Sequence, residues 1–149
     1  MFDIPEELVY AVLIIIILYL VKVIASPKEV VVAKPKPKPQ YEKRDYTLEE
    51  LKQYNGTDET KPIFIAIKGK IYDVTAKSST YGPGGAYNTF SGNDATICLA
   101  KSSFEDADIN KKWTEKSLEE LPEEHKESLN GWINFFSERY ILVGNVKQE

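Results

Sequence analysis

YTLEELKQYNGTDETKPIFIAIKGKIYDVTAKS, residues 46–78, is the stretch on which the fold turns. It opens on Thr47-Leu48-Glu49-Glu50. A Thr three residues ahead of a Glu is the pattern of a capping box, in which the hydroxyl and the carboxylate each take one of the backbone N–H groups that a helix start leaves without a partner. The box predicts a short helix that ends near Asn55-Gly56. Two β-branched runs follow, Ile63-Phe64-Ile65-Ala66-Ile67 and Ile71-Tyr72-Asp73-Val74, around Lys68-Gly69-Lys70. Strand-forming runs on both sides of a glycine turn predict a hairpin.

Working toward the C-terminus, YGPGGAYNTFSG (residues 81–92) holds four glycines and a proline among three aromatic residues and reads as a loop. Asn93-Asp94 is placed to cap a helix through Leu99 and Ala100. Residues 104–113 are expected to form another helix. The clearest helix is 122–140, where Leu129, Trp132, Ile133, Phe136 and Tyr140 recur at the spacing of one apolar face. Ile141-Leu142-Val143 reads as a closing strand. Helices and a small sheet without a repeated strand–helix–strand unit make the class α+β.

Working toward the N-terminus, residues 26–44 are rich in Pro and Lys. Alternating Lys-Pro favours an extended polyproline conformation, so the stretch reads as a stiff linker between residues 1–25 and a domain at 45–149. Before it, Leu8 to Val21 carries no charge, and continuation through Lys22 to Ala25 gives 18 residues, roughly 27 Å of helix. That length suits a single-pass transmembrane helix over about residues 8–25 in the thinner endoplasmic reticulum membrane. A cleaved signal peptide is the rival reading, since Val23 and Ala25 fit a cleavage site, but the opening MFDIPEE lacks the basic residues such a leader carries. Acidic residues precede the apolar run and lysines follow it, which puts the C-terminal domain in the cytosol.

The net charge of −4 is uneven. Residues 1–21 carry −3, residues 22–44 carry +5 and the domain carries −6. An acidic domain does not suit nucleic acid, which takes a basic face. It suits solubility, and equally a partner with a basic docking surface. Cys98 is the single cysteine and His125 the single histidine. They leave no intrachain disulfide and too few ligands for a structural zinc site. No nucleophile motif or phosphate loop appears, so an enzyme is not expected. Taken as residues alone, the Tyr81–Tyr87 loop offers glycines for close backbone approach and phenols for stacking or bonding, which fits either a ligand site or plain packing.

Three segments together resemble one family. Residues 46–78 are similar to the opening of cytochrome b5-like domains. YGPGGAYNTFSGNDAT (residues 81–96) resembles the signature of the membrane-associated progesterone receptor family, and WINFFSERYILVG (residues 132–144) resembles its closing helix and strand. The resemblance implies a haem- and steroid-binding domain in which Tyr87 ligates the haem iron, Tyr81 supports it by hydrogen bonding, and Arg139 and Tyr140 contact the haem. Cytochrome b5 itself holds haem between two histidines, which a chain with one histidine cannot do. Three departures from the family pattern stand out: Ala86 in place of Pro, Arg139 in place of Lys, and Ile97 where Arg is common. The resemblance further implies a haem-binding accessory protein, not an enzyme, that binds haem-thiolate monooxygenases of sterol metabolism at the endoplasmic reticulum, with a haem-mediated homodimer as an added expectation. Two alternatives stay open: a steroid- or lipid-binding module independent of iron, and an electron-transfer component.

Overall fold

The β-branched runs of the quoted stretch pair as expected. The computed structural model describes residues 5–25 and 41–147. Strand β1 (Phe64–Ile67) and strand β2 (Lys70–Asp73) form an antiparallel hairpin. Its two-residue turn has Lys68 at φ 47° and Gly69 at φ 73°. Both values lie in the left-handed region, the geometry that matches the twist of the flanking strands, and Gly69 adopts it without steric cost. Strand β3 (Ile141–Asn145) adds antiparallel to β2, giving the order β1-β2-β3 with a bulge between Ile71 and Tyr72.

Alternation along β1 explains why all four of its residues are buried. Ile65 and Ile67 belong to the larger core, while Phe64 and Ala66 belong to a second cluster with Tyr46, Leu51, Ile71 and Val143. Side chains on a strand alternate between faces, so a strand covered on both sides reads as a continuous apolar run. The second cluster is closed by Tyr41, whose ring meets Phe64 edge-on at 5.1 Å.

Helices make up most of the remaining structure, the first of them in the N-terminal unit and the others in the unit that holds the sheet. Helix α1 covers Glu6–Ala25, helix α2 Leu48–Leu51 and helix α3 Ser78–Tyr81. Helix α4 covers Thr96–Lys101, helix α5 Glu115–Glu119 and helix α6 Glu123–Arg139. At α2 the capping box is complete: Glu50 N–H donates to Thr47 Oγ1 at 3.1 Å, and Thr47 N–H donates to Glu50 Oε2 at 2.9 Å. A 3-10 turn over Lys52–Tyr54 then carries the chain to Asn55. Helix α6 presents the expected apolar face, with Leu129 and Phe136 fully buried. Tyr140 ends that face in extended conformation, beyond the last helical turn.

The helix expected over 104–113 does not form. Only a 3-10 turn at Asp106–Asp108 appears. The reason is a buried carboxylate. Asp94, 7% exposed, accepts from Thr96 N–H at 2.8 Å and from Trp113 Nε1–H at 3.1 Å. Asn110 sits at φ 54° and its Oδ1 accepts from Asp94 N–H at 2.7 Å, while its own N–H donates to the Asp94 carbonyl. A left-handed residue and side chains committed to Asp94 stop a helix from continuing through 110. Asp94 also supplies the expected first-turn partner for α4, although Ala95 occupies the cap position itself.

A second correction concerns the N-terminus. Among the described residues, no helix is long and apolar enough to cross a membrane. Helix α1 forms over 20 residues, but Glu6, Glu7 and Lys22 lie within it. The uncharged run Leu8–Val21 amounts to about 21 Å of helix, short of a hydrocarbon core of about 30 Å. The single-pass transmembrane helix expected from the sequence is therefore not met. Of the Pro/Lys-rich linker, residues 26–40 lie outside the described residues. Contacts divide the chain into two units, 1–37 and 38–149.

The Asp94 cluster makes a direct prediction. Asp94→Ala leaves the Thr96 and Trp113 donors without their acceptor in a buried site, which costs about 2–4 kcal/mol. Urea unfolding of wild type and variant, followed by circular dichroism, measures the difference.

Candidate functional site

Glycines shape the loop that carries both expected site tyrosines. Gly82 N–H donates to the Ser78 carbonyl at 2.8 Å, which closes α3, and Tyr87 N–H donates back to the Thr80 carbonyl at 3.0 Å. The loop crosses so close to α3 that a Cβ on Gly85 would lie 2.2 Å from the Thr80 carbonyl oxygen. No side chain fits there, so Gly85 is required by space. Asn88 Nδ2–H and Ser91 Oγ–H both donate to the Tyr81 carbonyl, at 3.0 and 2.6 Å. The glycine-rich stretch is thus a hydrogen-bonded scaffold, and Asn88–Phe90 within it forms a 3-10 turn.

This scaffold brings three of the four expected residues together. The Tyr81 ring is buried, 6.0 Å from the Tyr87 ring and 6.0 Å from the Tyr140 ring. Tyr87 is half-buried. Its other neighbours are Phe90 at 5.7 Å, Phe104 at 5.7 Å and Trp132 at 6.2 Å. Arg139 stands apart: its side chain is exposed and its guanidinium lies over the Phe135 ring at 4.3 Å. Phe135 in turn touches Trp132 and Tyr140, so Arg139 belongs to the rim of the aromatic cluster. Ile97, the position where an arginine is common, is buried in the core, so in this chain it is a packing residue.

Next to Tyr87 opens a cleft of about 150 Å³, lined by Tyr87, Phe90, Cys98, Leu99, Ser102, Ser103, Phe104 and Trp132. Trp132 was legible as part of an apolar helix face, whereas Phe104 fell inside the helix expected over 104–113. Neither Phe90 nor Phe104 carried a signal for a site, because the fold alone brings them to Tyr87.

The electrostatics separate the roles of the oxygen and sulfur donors. Burial pushes the Tyr81 phenol well above its usual value, and the neighbouring Tyr140 phenol adds to the rise. Tyr81 is therefore a neutral O–H donor at physiological pH. Burial likewise pushes the Cys98 thiol up to about 11, so it is protonated and a poor ligand. His125 is half-buried in the first turn of α6, with Nε2 3.6 Å from Glu124 Oε1 and Nδ1 buried without a partner among the described residues. Also among the described residues, no three His, Cys, Asp or Glu side chains gather into a cation site. The cleft thus offers stacking surfaces and the Tyr87 phenol, with a second, buried phenol beside it.

Comparison with known proteins agrees with the fold. A family model for the cytochrome b5-like haem/steroid-binding domain matches residues 47–145. The chain is 44% identical over 117 residues to the cytochrome P450 regulator dap1 of Schizosaccharomyces pombe, covering 77% of this chain and 69% of that protein. It is 45% identical over 104 residues to membrane steroid-binding protein 2 of Oryza sativa subsp. japonica, covering 70% of this chain but only 37% of that longer protein. A solved Arabidopsis thaliana structure described as having a cytochrome b5-like fold superimposes with a TM-score of 0.62 at 40% identity, over 75% of this chain and 98% of that one.

The raised Tyr81 phenol has a measurable consequence. An acid whose folded-state pKa lies above its unfolded value stabilises the fold fully below the unfolded value and loses that contribution as pH rises past it. Wild-type stability should therefore fall above about pH 10, and more steeply than that of Tyr81→Phe. Urea unfolding of both between pH 8 and 11 checks the difference in slope.

Proposed function

The chain belongs to the family of cytochrome b5-like haem/steroid-binding domains, and we propose that it is a haem-binding accessory protein in which the Tyr87 phenolate ligates the iron. The observation that carries this reading is Tyr87 at an aromatic cleft with the neutral Tyr81 phenol beside it. When bound, haem supplies a ferric ion whose charge favours the phenolate form of a tyrosine. The chain's part is to hold that phenolate. The Tyr81 O–H lies with Tyr140 in this structure, and turned onto the Tyr87 oxygen it would lower the cost of ionising Tyr87. Trp132 offers a flat apolar surface to a macrocycle. Arg139 on the rim, its guanidinium already over Phe135, suits a propionate. An anionic oxygen ligand favours ferric over ferrous iron, which disfavours simple electron shuttling.

The relative named as a cytochrome P450 regulator supports haem-thiolate monooxygenases as partners, reached by an acidic domain that suits a basic docking face. Membrane association rests on α1 and on the relative named as a membrane protein. Leu8 to Val21 of α1 is apolar but for Tyr10 and Tyr19, and Ile15 alone is 66% exposed. Such a surface calls for an apolar surrounding. The lysines that follow the run suit the anionic cytosolic face of a membrane such as that of the endoplasmic reticulum. An iron-free sterol site is the second reading. It is favoured by the apolar lining of the cleft and by the relative named for steroid binding.

Titration of the full chain in detergent with ferric haem tests the leading reading. Saturable uptake is expected with a phenolate-to-iron charge-transfer band. Tyr87→Phe should lose the band and about ten-fold or more in affinity, which an iron-free sterol site would not do. For α1, full-length chain should float with phospholipid vesicles in a density gradient, and Ile15→Asp with Ile16→Asp should leave it in the soluble fraction.

A further inference from the structure

The cleft beside Tyr87 is too small for the ligands its chemistry suits. Ligand pockets run from about 300 to 1,000 Å³, and this one measures about 150 Å³. A porphyrin or a four-ring sterol is therefore enclosed beside Tyr87 only if part of the lining moves. Most of the lining is held. Phe90, Cys98 and Leu99 are core residues, each 3% exposed or less. Trp132 packs on Phe135 and Phe136 as well as on Tyr87.

Phe104 differs from all of these. It is 54% exposed, an unusual state for a phenyl ring. It lies nearly parallel to Phe90, with centroids 5.2 Å apart at 11°, and stacks on Tyr87 at 28°. One side of the ring thus covers the cleft and the rest is in water. The backbone just before it turns at Ser102, a non-glycine residue at φ 52°. Ser103 N–H donates to the Cys98 carbonyl at 2.8 Å, which ties the far side of this corner to α4. The corner is fixed while the side chain beyond it has solvent to move into.

We infer that Phe104 is the gate of the Tyr87 site: in the closed state it stacks on Phe90 and Tyr87, and it must swing outward before a flat ligand stacks in its place. This inference rests on the haem reading above. A site that accepts ligand only when open has its apparent association rate scaled by the open fraction. The two-ring stack favours the closed state, so the open fraction is small.

Stopped-flow mixing of the full chain with ferric haem, read by the Soret band and by tryptophan quenching, tests it. Phe104→Ala should associate about ten-fold faster and also release haem faster, with an unchanged charge-transfer band. Phe104→Trp should associate more slowly than wild type. Phe104 is exposed, so both variants keep the fold, and circular dichroism checks this. If both variants associate within two-fold of wild type, the gate is overturned while the Tyr87 site stands. If the wild-type chain takes up no haem, the haem reading fails and takes the gate with it.

Discussion

The Asp94 carboxylate is the interaction on which the rest of this domain depends. It accepts from the α4 start and from the Trp113 indole. Its backbone joins the β1 edge, where Ala66 N–H donates to the Asn93 carbonyl and Ala95 N–H donates to the Ala66 carbonyl. Burial raises the pKa of this carboxyl, and only the donors from Thr96 and Trp113 work against the rise. A buried carboxylate is tolerated when its lone pairs are met, and here they are. The result is a rigid junction between the hairpin, the end of the glycine-rich loop and helix α4.

That junction sets the site. Helix α4 supplies Cys98 and Leu99 to the cleft, and the segment leaving it carries Phe104. Ser128 Oγ–H donates to the Leu99 carbonyl at 2.8 Å and ties α6 to α4 in the register that presents Trp132 to Tyr87. On the other side Gly85 lets the loop press onto α3, so Tyr81 is driven into the core while Tyr87 stays at the cleft. Two phenols six residues apart thereby acquire different surroundings. One is buried, which raises its pKa, and the other is half-exposed beside aromatic surfaces.

Much of this was legible in the sequence, and the failures have physical causes. The capping box at Thr47, the Gly69 turn and the α6 face depend on neighbours within a few residues, and each formed as read. The fold sets the Tyr81 ring beside those of Tyr87 and Tyr140 and lays Arg139 over Phe135, an arrangement that depends on residues up to 59 positions apart. The helix expected over 104–113 failed because Asn110 and Trp113 are committed to Asp94, a partner some 16 to 19 residues away. Helix α5 escaped notice because its capping box uses Ser117 at the third position, where Glu or Gln gives the familiar signal. Phe104 was invisible as a site residue for the same reason that 104–113 was misread. In the N-terminal unit the helix was legible and its extent across a membrane was not, since Lys22 breaks the uncharged run that α1 carries onward to Ala25.

The central claim is that this fold holds iron through a single phenolate. Resonance Raman spectroscopy of the ferric haem-loaded full chain tests it most directly. Phenolate ring modes enhanced by excitation into the charge-transfer band, with spin-state markers of five-coordinate high-spin iron, are the predicted result. A six-coordinate low-spin spectrum without phenolate modes would contradict it and would place a nitrogen or sulfur donor on the iron instead.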